Sequence, residues 1–116
     1  MIKVEAIVIR ERIETVIDAV EEATGHVGVT VIEAVGHGRQ RGITHEYRGR
    51  NFESRFLPKA LLLFVVEDDL VDRVVAAITD AARSGYESGD GLVWTTPVGH
   101  VTHHRSGLPL EGVEAR

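Results

Sequence analysis

Twice along this chain the spacing of apolar residues changes from a period of two to a period near 3.6 and back, an order that few folds accommodate in 116 residues. Ile2, Val4, Ala6 and Val8 share one face of a strand, with Lys3 and Glu5 opposite until Ile7 and Ile9. From Glu11 onward, Ile13, Val16, Ile17 and Val20 form a helical stripe, and Glu14, Asp18, Glu21 and Glu22 take the wet side. This helix is predicted to end near Thr24-Gly25, where glycine accepts the left-handed cap. Residues 28–35 are rich in β-branched side chains and predict a second strand. The apolar run 60–66 predicts a third, buried on both faces. Asp68 and Asp69 suit the start of a second helix, whose stripe is Val71, Val74, Val75, Ile78 and Ala82 and whose end falls near Arg83. Residues 92–96 predict a fourth strand, and residues 98–105 a short edge strand.

The resulting order is the split βαβ pattern of an α+β, ferredoxin-like βαββαβ fold, with a long connection between the second and third of these strands. Both helices should cover the same sheet face. The other face, made of Ile, Val and Leu, would then be left open, and an apolar patch of that size predicts self-association. The connection, about residues 37–55, has no stable apolar period and reads as a polar loop. Loops of that length in a small domain commonly bind something. The domain is expected to span residues 1–107, with 108–116 as a C-terminal tail.

Composition excludes several classes of function. A net charge of −5 argues against a protein that coats nucleic acid. Cysteine is absent, so disulfide scaffolds, thiolate metal centres and cysteine nucleophiles are excluded. The longest apolar run is far too short to span a bilayer, and the first residues lack the pattern of a cleaved leader; a cytoplasmic location is expected. No nucleophile is paired with a base at a recognisable spacing, which argues against an enzyme.

The chemistry is concentrated in glycine-punctuated segments. Gly36, Gly38 and Gly42 let the backbone approach a phosphate closely, and Arg39 is placed to add a charge-assisted bond. Gly89-Asp90-Gly91 offers main-chain N–H groups as an anion nest. Taken in order, Gly36-His37-Gly38-Arg39-Gln40-Arg41-Gly42, Tyr47-Arg48-Gly49, Phe56-Leu57-Pro58-Lys59 and Gly89-Asp90-Gly91 resemble the PII signal-transduction family. The resemblance runs from Met1 to about Gly107.

That resemblance implies a homotrimeric regulator, not an enzyme, with ATP or ADP, and AMP as a further candidate, bound in inter-subunit clefts and magnesium accompanying ATP. It places nucleotide contacts on Thr30, Gly36, His37, Gly38, Arg39, Gln40, Gly89, Asp90, Gly91, His103 and Arg105. Gln40 and Lys59 match positions that hold 2-oxoglutarate, an amide and an ammonium suited to a dicarboxylate; bicarbonate is the alternative anion. Tyr47, Arg48, Arg50 and Phe52 fall on the loop expected to dock on a membrane transporter or a metabolic enzyme in nitrogen or carbon metabolism.

Three departures from the family pattern bear on chemistry. Leu92 stands where relatives commonly carry lysine, and His103 replaces one of two arginines, leaving Arg105. Two fixed positive charges are thereby lost, which should weaken ATP relative to ADP or AMP, although a protonated His103 would restore one. Phe52 replaces a modifiable tyrosine, so nucleotidylation at that place is excluded. The competing reading is a trimeric metal- or small-anion-binding protein on the same fold, in which His100, His103 and His104 would act. On a strand those three side chains diverge, and the phosphate-cradling glycines favour the nucleotide reading.

Overall fold

The computed structural model describes residues 1–37, 44–47, 50–53, 56–83 and 90–110, with backbone only for 44–47 and 50–53. Strand β1 (Ile2–Ile9) leads through a short 3-10 turn, Arg10–Arg12, into helix α1 (Ile13–Thr24). Strand β2 (Thr30–Gly36) follows, then the short strands β3 (Thr44–Tyr47) and β4 (Arg50–Glu53). Strand β5 (Leu57–Val66), a 3-10 turn at Asp68–Leu70, helix α2 (Val71–Ala82) and strand β6 (Val93–Pro97) complete the elements. The main sheet is antiparallel in the order β2-β5-β1-β6. This is the arrangement of a ferredoxin-like α+β domain.

Strand alternation places the core. Val4, Ala6 and Val8 of β1 and Ala60, Leu62, Phe64 and Val66 of β5 are buried beneath the two helices. They meet Val16 and Val20 of α1 and Val74 and Ile78 of α2, the residues of the two helical stripes. Helix α1 ends at Gly25 as expected, but with φ 83° and ψ −159°, an extended positive-φ conformation open to glycine rather than the left-handed cap.

Several boundaries differ from the sequence reading. Strand β5 starts three residues before the apolar run and is fully buried on one face only, since Leu61, Leu63 and Val65 on the other are half-exposed. Burial on both faces is therefore corrected for the single chain: both helices pack on the same side. Asp68 and Asp69 lie in a 3-10 turn, and the α-helix proper begins at Val71. The connection read as polar loop contains a hairpin, β3 paired with β4 from Thr44↔Glu53 to Tyr47↔Arg50. Residues 98–105 do not form the expected edge strand: a single bridge, Thr102↔Pro109, folds this segment back on itself. Pro109 and Gly107, with φ 69°, suit such a reversal better than a continuing ladder.

The sheet face away from the helices carries Ile7, Leu61, Leu63 and Val65, flanked by exposed Ile32 on one edge and Leu92 and Trp94 on the other. Among them sits one polar bridge: the Trp94 indole N–H donates to Glu5 Oε1 at 3.1 Å, and Lys3 Nζ lies 3.2 Å from the same oxygen. No helix among the described residues is long and apolar enough to cross a membrane.

Candidate functional site

The antiparallel ladder gathers four separate segments at one corner of the sheet. Lys59 in β5 is paired with Ile9 of β1 on one side and with Ala34 of β2 on the other. Two residues beyond Ala34, Gly36 lies against the Lys59 side chain so closely that a Cβ there would be 2.8 Å from Lys59 Cγ. Glycine at 36 is thus what lets Lys59 lie flat across the end of β2 and stay buried.

Asp90-Gly91 arrives from the other edge. Gly91 has φ +103°, and a Cβ on it would be 1.9 Å from the Ile7 carbonyl oxygen, so only glycine fits. The Ile7 N–H then donates to the Leu92 carbonyl at 2.8 Å, extending the β1–β6 pairing past Val93. This brings the Asp90 carboxylate into the field of Lys59. Burial pushes the Lys59 ammonium below the ordinary lysine range, while the negative charges of Asp90 and Glu11 oppose that shift.

The neck of the long connection closes beside this corner. His37, just after β2, and Phe56, just before β5, place their ring centroids 5.2 Å apart and tilted by 39°. Gly36, Lys59 and Asp90-Gly91 are thus gathered at one corner, with His37 at the end of β2 next to it. Gly38, Arg39, Gln40, Gly89 and Arg48 lie outside the described residues. Tyr47, Arg50 and Phe52 fall on the β3–β4 hairpin, Tyr47 directly opposite Arg50 in the ladder.

Three expected contacts are not brought to this corner within one chain. Thr30 starts β2, six residues from Gly36, which is about 20 Å of strand. His103 and Arg105 belong to the segment that leaves the sheet beside Met1, where the Val98 N–H donates to the Met1 carbonyl at 3.1 Å. Asp90-Gly91 lies at the Ile7 end of the same strand, again about 20 Å away. His103 anchors the reversal: its N–H donates to the Leu108 carbonyl at 3.0 Å, its carbonyl accepts from Gly107 at 2.8 Å, and its Nδ1 accepts from the Arg105 N–H at 3.1 Å. His100, His103 and His104 thus occupy a turn and its approach, and among the described residues no three metal-ligating side chains come together.

Sequence reasoning missed the Arg10-Glu11-Arg12 turn. Arg10 pairs with Glu33 on β2. Arg12 donates through Nε and Nη2 to the Ala81 carbonyl at 3.0 and 2.7 Å, holding the last turn of α2. The only signal was three consecutive charged residues between two apolar patterns, which reads as an ordinary solvated turn.

Residues 1–108 match the family described as nitrogen regulatory protein P-II. Similar proteins include a nitrogen regulatory protein P-II of Azospirillum brasilense, 44% identical over 107 residues, covering 92% of this chain and 94% of the relative. Another of that name from Microchaete diplosiphon is 46% identical over 107 residues, 92% of this chain and 94% of its own. Nitrogen regulatory protein P-II 2 of Methanothermobacter thermautotrophicus is 42% identical over 107 residues, 92% and 91% of the two chains. With the ferredoxin-like sheet and the convergence of Gly36, Lys59 and Asp90-Gly91 already established, the chain belongs to the P-II family of regulatory signal-transduction proteins.

Proposed function

We propose that this protein binds adenine nucleotides in clefts between the subunits of a homotrimer and reports the bound state to a target protein through residues 37–55. The observation that carries this reading is the corner where Gly36, His37, Lys59 and Asp90-Gly91 meet at the root of that connection. Phosphate oxygens would be held by the main-chain N–H groups of the glycine segments and by Arg39. Thr30, at the far end of β2, and His103 and Arg105, on the segment leaving the sheet beside Met1, lie away from this corner in a single chain. A cleft between two copies unites them, and the uncovered face with Ile7, Leu61 and Leu63 supplies an apolar surface for such copies.

At the loop root, Gln40 and Lys59 would take a small anion, 2-oxoglutarate together with magnesium-bound ATP, or bicarbonate. Tyr47, Arg48, Arg50 and Phe52 would face the target, a membrane transporter or metabolic enzyme of nitrogen or carbon metabolism, with the regulator itself in the cytoplasm. Leu92 is 75% exposed beside Asp90-Gly91 and offers a phosphate no charge, which favours ADP or AMP over ATP.

Titration of the purified protein with ATP, ADP and AMP, with and without 2-oxoglutarate and bicarbonate, tests the reading. Arg39→Ala should weaken nucleotide binding by about 1.5–3 kcal/mol, the range for a hydrogen bond to a charged group. An unchanged dissociation constant, or a stable monomer in sedimentation at micromolar concentration, would overturn it.

A further inference from the structure

Strand β1 puts two charges on the sheet face that the helices leave uncovered. Ile7, Leu61, Leu63 and Val65 make that face apolar, yet Lys3 and Glu5 alternate onto it, opposite Val65 and Leu63 in the β5 ladder. Glu5 is also paired with Trp94 of β6, whose indole N–H donates to Glu5 Oε1 at 3.1 Å. Lys3 Nζ is 3.2 Å from that same oxygen. The Glu5 side chain is only 15% exposed, whereas that of Lys3 is 35% exposed.

These contacts leave hydrogen-bonding capacity unspent. Both fall on Oε1, so Glu5 Oε2 accepts no hydrogen bond among the described residues. An ammonium has three donors, and Lys3 directs one at most toward Glu5. Covering this face with purely apolar surface would desolvate two ions that are only partly paired. Whatever covers it must therefore bring an acceptor for Lys3 and a donor for Glu5. A second copy of this chain brings both on one patch: a cation and an anion, no net charge, set in apolar surroundings. The face is complementary to itself.

Resting on the homotrimer reading above, we propose that Lys3 and Glu5 set the register in which copies of this chain meet: the Lys3 ammonium of one copy donates to Glu5 Oε2 of the next, a head-to-tail contact that closes into a ring. Apolar contact among Ile7, Leu61, Leu63 and Val65 is non-directional and tolerates sliding. The charge pair does not tolerate it, because a slide that seats either ion against an apolar side chain leaves that ion desolvated and unpaired. Trp94 holds the Glu5 carboxylate from within the chain and leaves Oε2 to the neighbouring copy.

The test is charge reversal followed by mixing. Lys3→Glu and Glu5→Lys are purified separately, and assembly is followed by sedimentation velocity over a dilution series. Emission of Trp94, the single tryptophan of the chain, is a second readout. Each variant alone sets like charges against each other across copies and should dissociate at a concentration at least about tenfold higher than wild type, with emission shifted to the red. An equimolar mixture should regain most of the assembly, since a cation of one variant then meets an anion of the other. Mixing cannot rebuild the pair within one chain, so rescue reports a contact between copies. Lys3→Gln, a mild change on a partly exposed side chain, decides the matter if the reversals do not fold: it should weaken assembly about three- to tenfold.

Reversal variants or Lys3→Gln that assemble like wild type, or a mixture of folded reversal variants no better assembled than either alone, overturn the role of Lys3 and Glu5 and leave the trimer in place. A wild-type chain that stays monomeric at micromolar concentration removes the trimer and this role together.

Discussion

Replacing Gly91 by alanine tests how the Asp90 side of the site is built. The new Cβ would lie 1.9 Å from the Ile7 carbonyl oxygen and 2.8 Å from its carbon, backbone atoms in the second strand from the sheet edge. A side chain there cannot swing away, so either β1 or the chain at 91 must move by about 1 Å to restore an ordinary contact distance. Movement stretches the 2.8 Å bond from the Ile7 N–H to the Leu92 carbonyl. The positive φ of 103° adds conformational strain of about 1–2 kcal/mol for an L residue, and the weakened hydrogen bond about 1 kcal/mol more. With the residual clash, Gly91→Ala should lose about 2–4 kcal/mol in urea denaturation, and Tm should fall by roughly 10–15 °C. Gly28→Ala is the control: nothing lies within 4 Å of its Cβ and its φ is ordinary, so its stability should stay within about 1 kcal/mol of wild type. A Gly91→Ala protein as stable as Gly28→Ala would show that Asp90-Gly91 does not pack on Ile7 and would remove the argument that Asp90 is held near Lys59.

Arg12→Met keeps the aliphatic stem but deletes both bonds to the Ala81 carbonyl, and should lower stability by about 1–2 kcal/mol in urea denaturation while speeding amide exchange in the last turn of α2. Lys59 has its folded pKa below the unfolded value of 10.5, so the unfolded chain binds more protons between those two values and wild-type stability should rise with pH across that interval. The contribution is complete above 10.5 and is lost as pH falls through the folded value; stability curves of Lys59→Met should lack this alkaline rise, and identical curves would contradict the burial of the amine. On the regulatory reading, hydrogen exchange across residues 42–55 should differ between ADP-bound and ATP-bound protein while β1 and β5 stay unchanged, and identical exchange in every state would argue against signalling through that segment.

The parts of the fold legible in the sequence were those where one face is buried and the other is wet. Val4, Ala6 and Val8 on β1 and Val16 and Val20 on α1 announce themselves by period because burial removes every polar alternative from those positions. The β3–β4 hairpin has no such signature: Thr44, His45, Glu46 and Tyr47 oppose Glu53, Phe52, Asn51 and Arg50, with polar residues on both sides of the ladder. Its pairing is a backbone property, and period-based reading cannot see it. Residues 98–110 failed for the opposite reason. Val98 and Val101 look like an edge strand, but Pro109 and the hydrogen bonds around His103 fold the segment onto itself. For the site, the glycine segments were visible because close backbone approach restricts residue type, whereas Glu11 and Arg12 were invisible because a charged turn is the commonest thing a sequence contains. Their partners, Lys59 and the Ala81 carbonyl, are distant in the chain and adjacent only after folding.

The division of the predicted contacts between two ends of the sheet bears on how binding could be felt by the long connection. Gly36 and His37 end one side of its neck, Phe56 and Lys59 begin the other, and Asp90 reaches the same place from β6. On the proposed reading, a nucleotide bound only by Thr30, His103 and Arg105 would leave this neck untouched, since Thr30 lies about 20 Å of strand from Gly36 and the segment carrying His103 and Arg105 leaves the sheet beside Met1, at the opposite end of β1 from Ile7. Under that reading, seating the phosphates between two copies would set one copy's far end against its neighbour's neck. Ligand charge then acts directly on Lys59, where Asp90 and Glu11 already oppose the cost of burying an ammonium. Adding or removing one phosphate changes that balance at the point where both strands of the connection leave the sheet. On that same reading, only an unequal effect on two arrangements of residues 37–55 transmits it, which would make the charge count at Lys59 the quantity linking nucleotide discrimination to loop response.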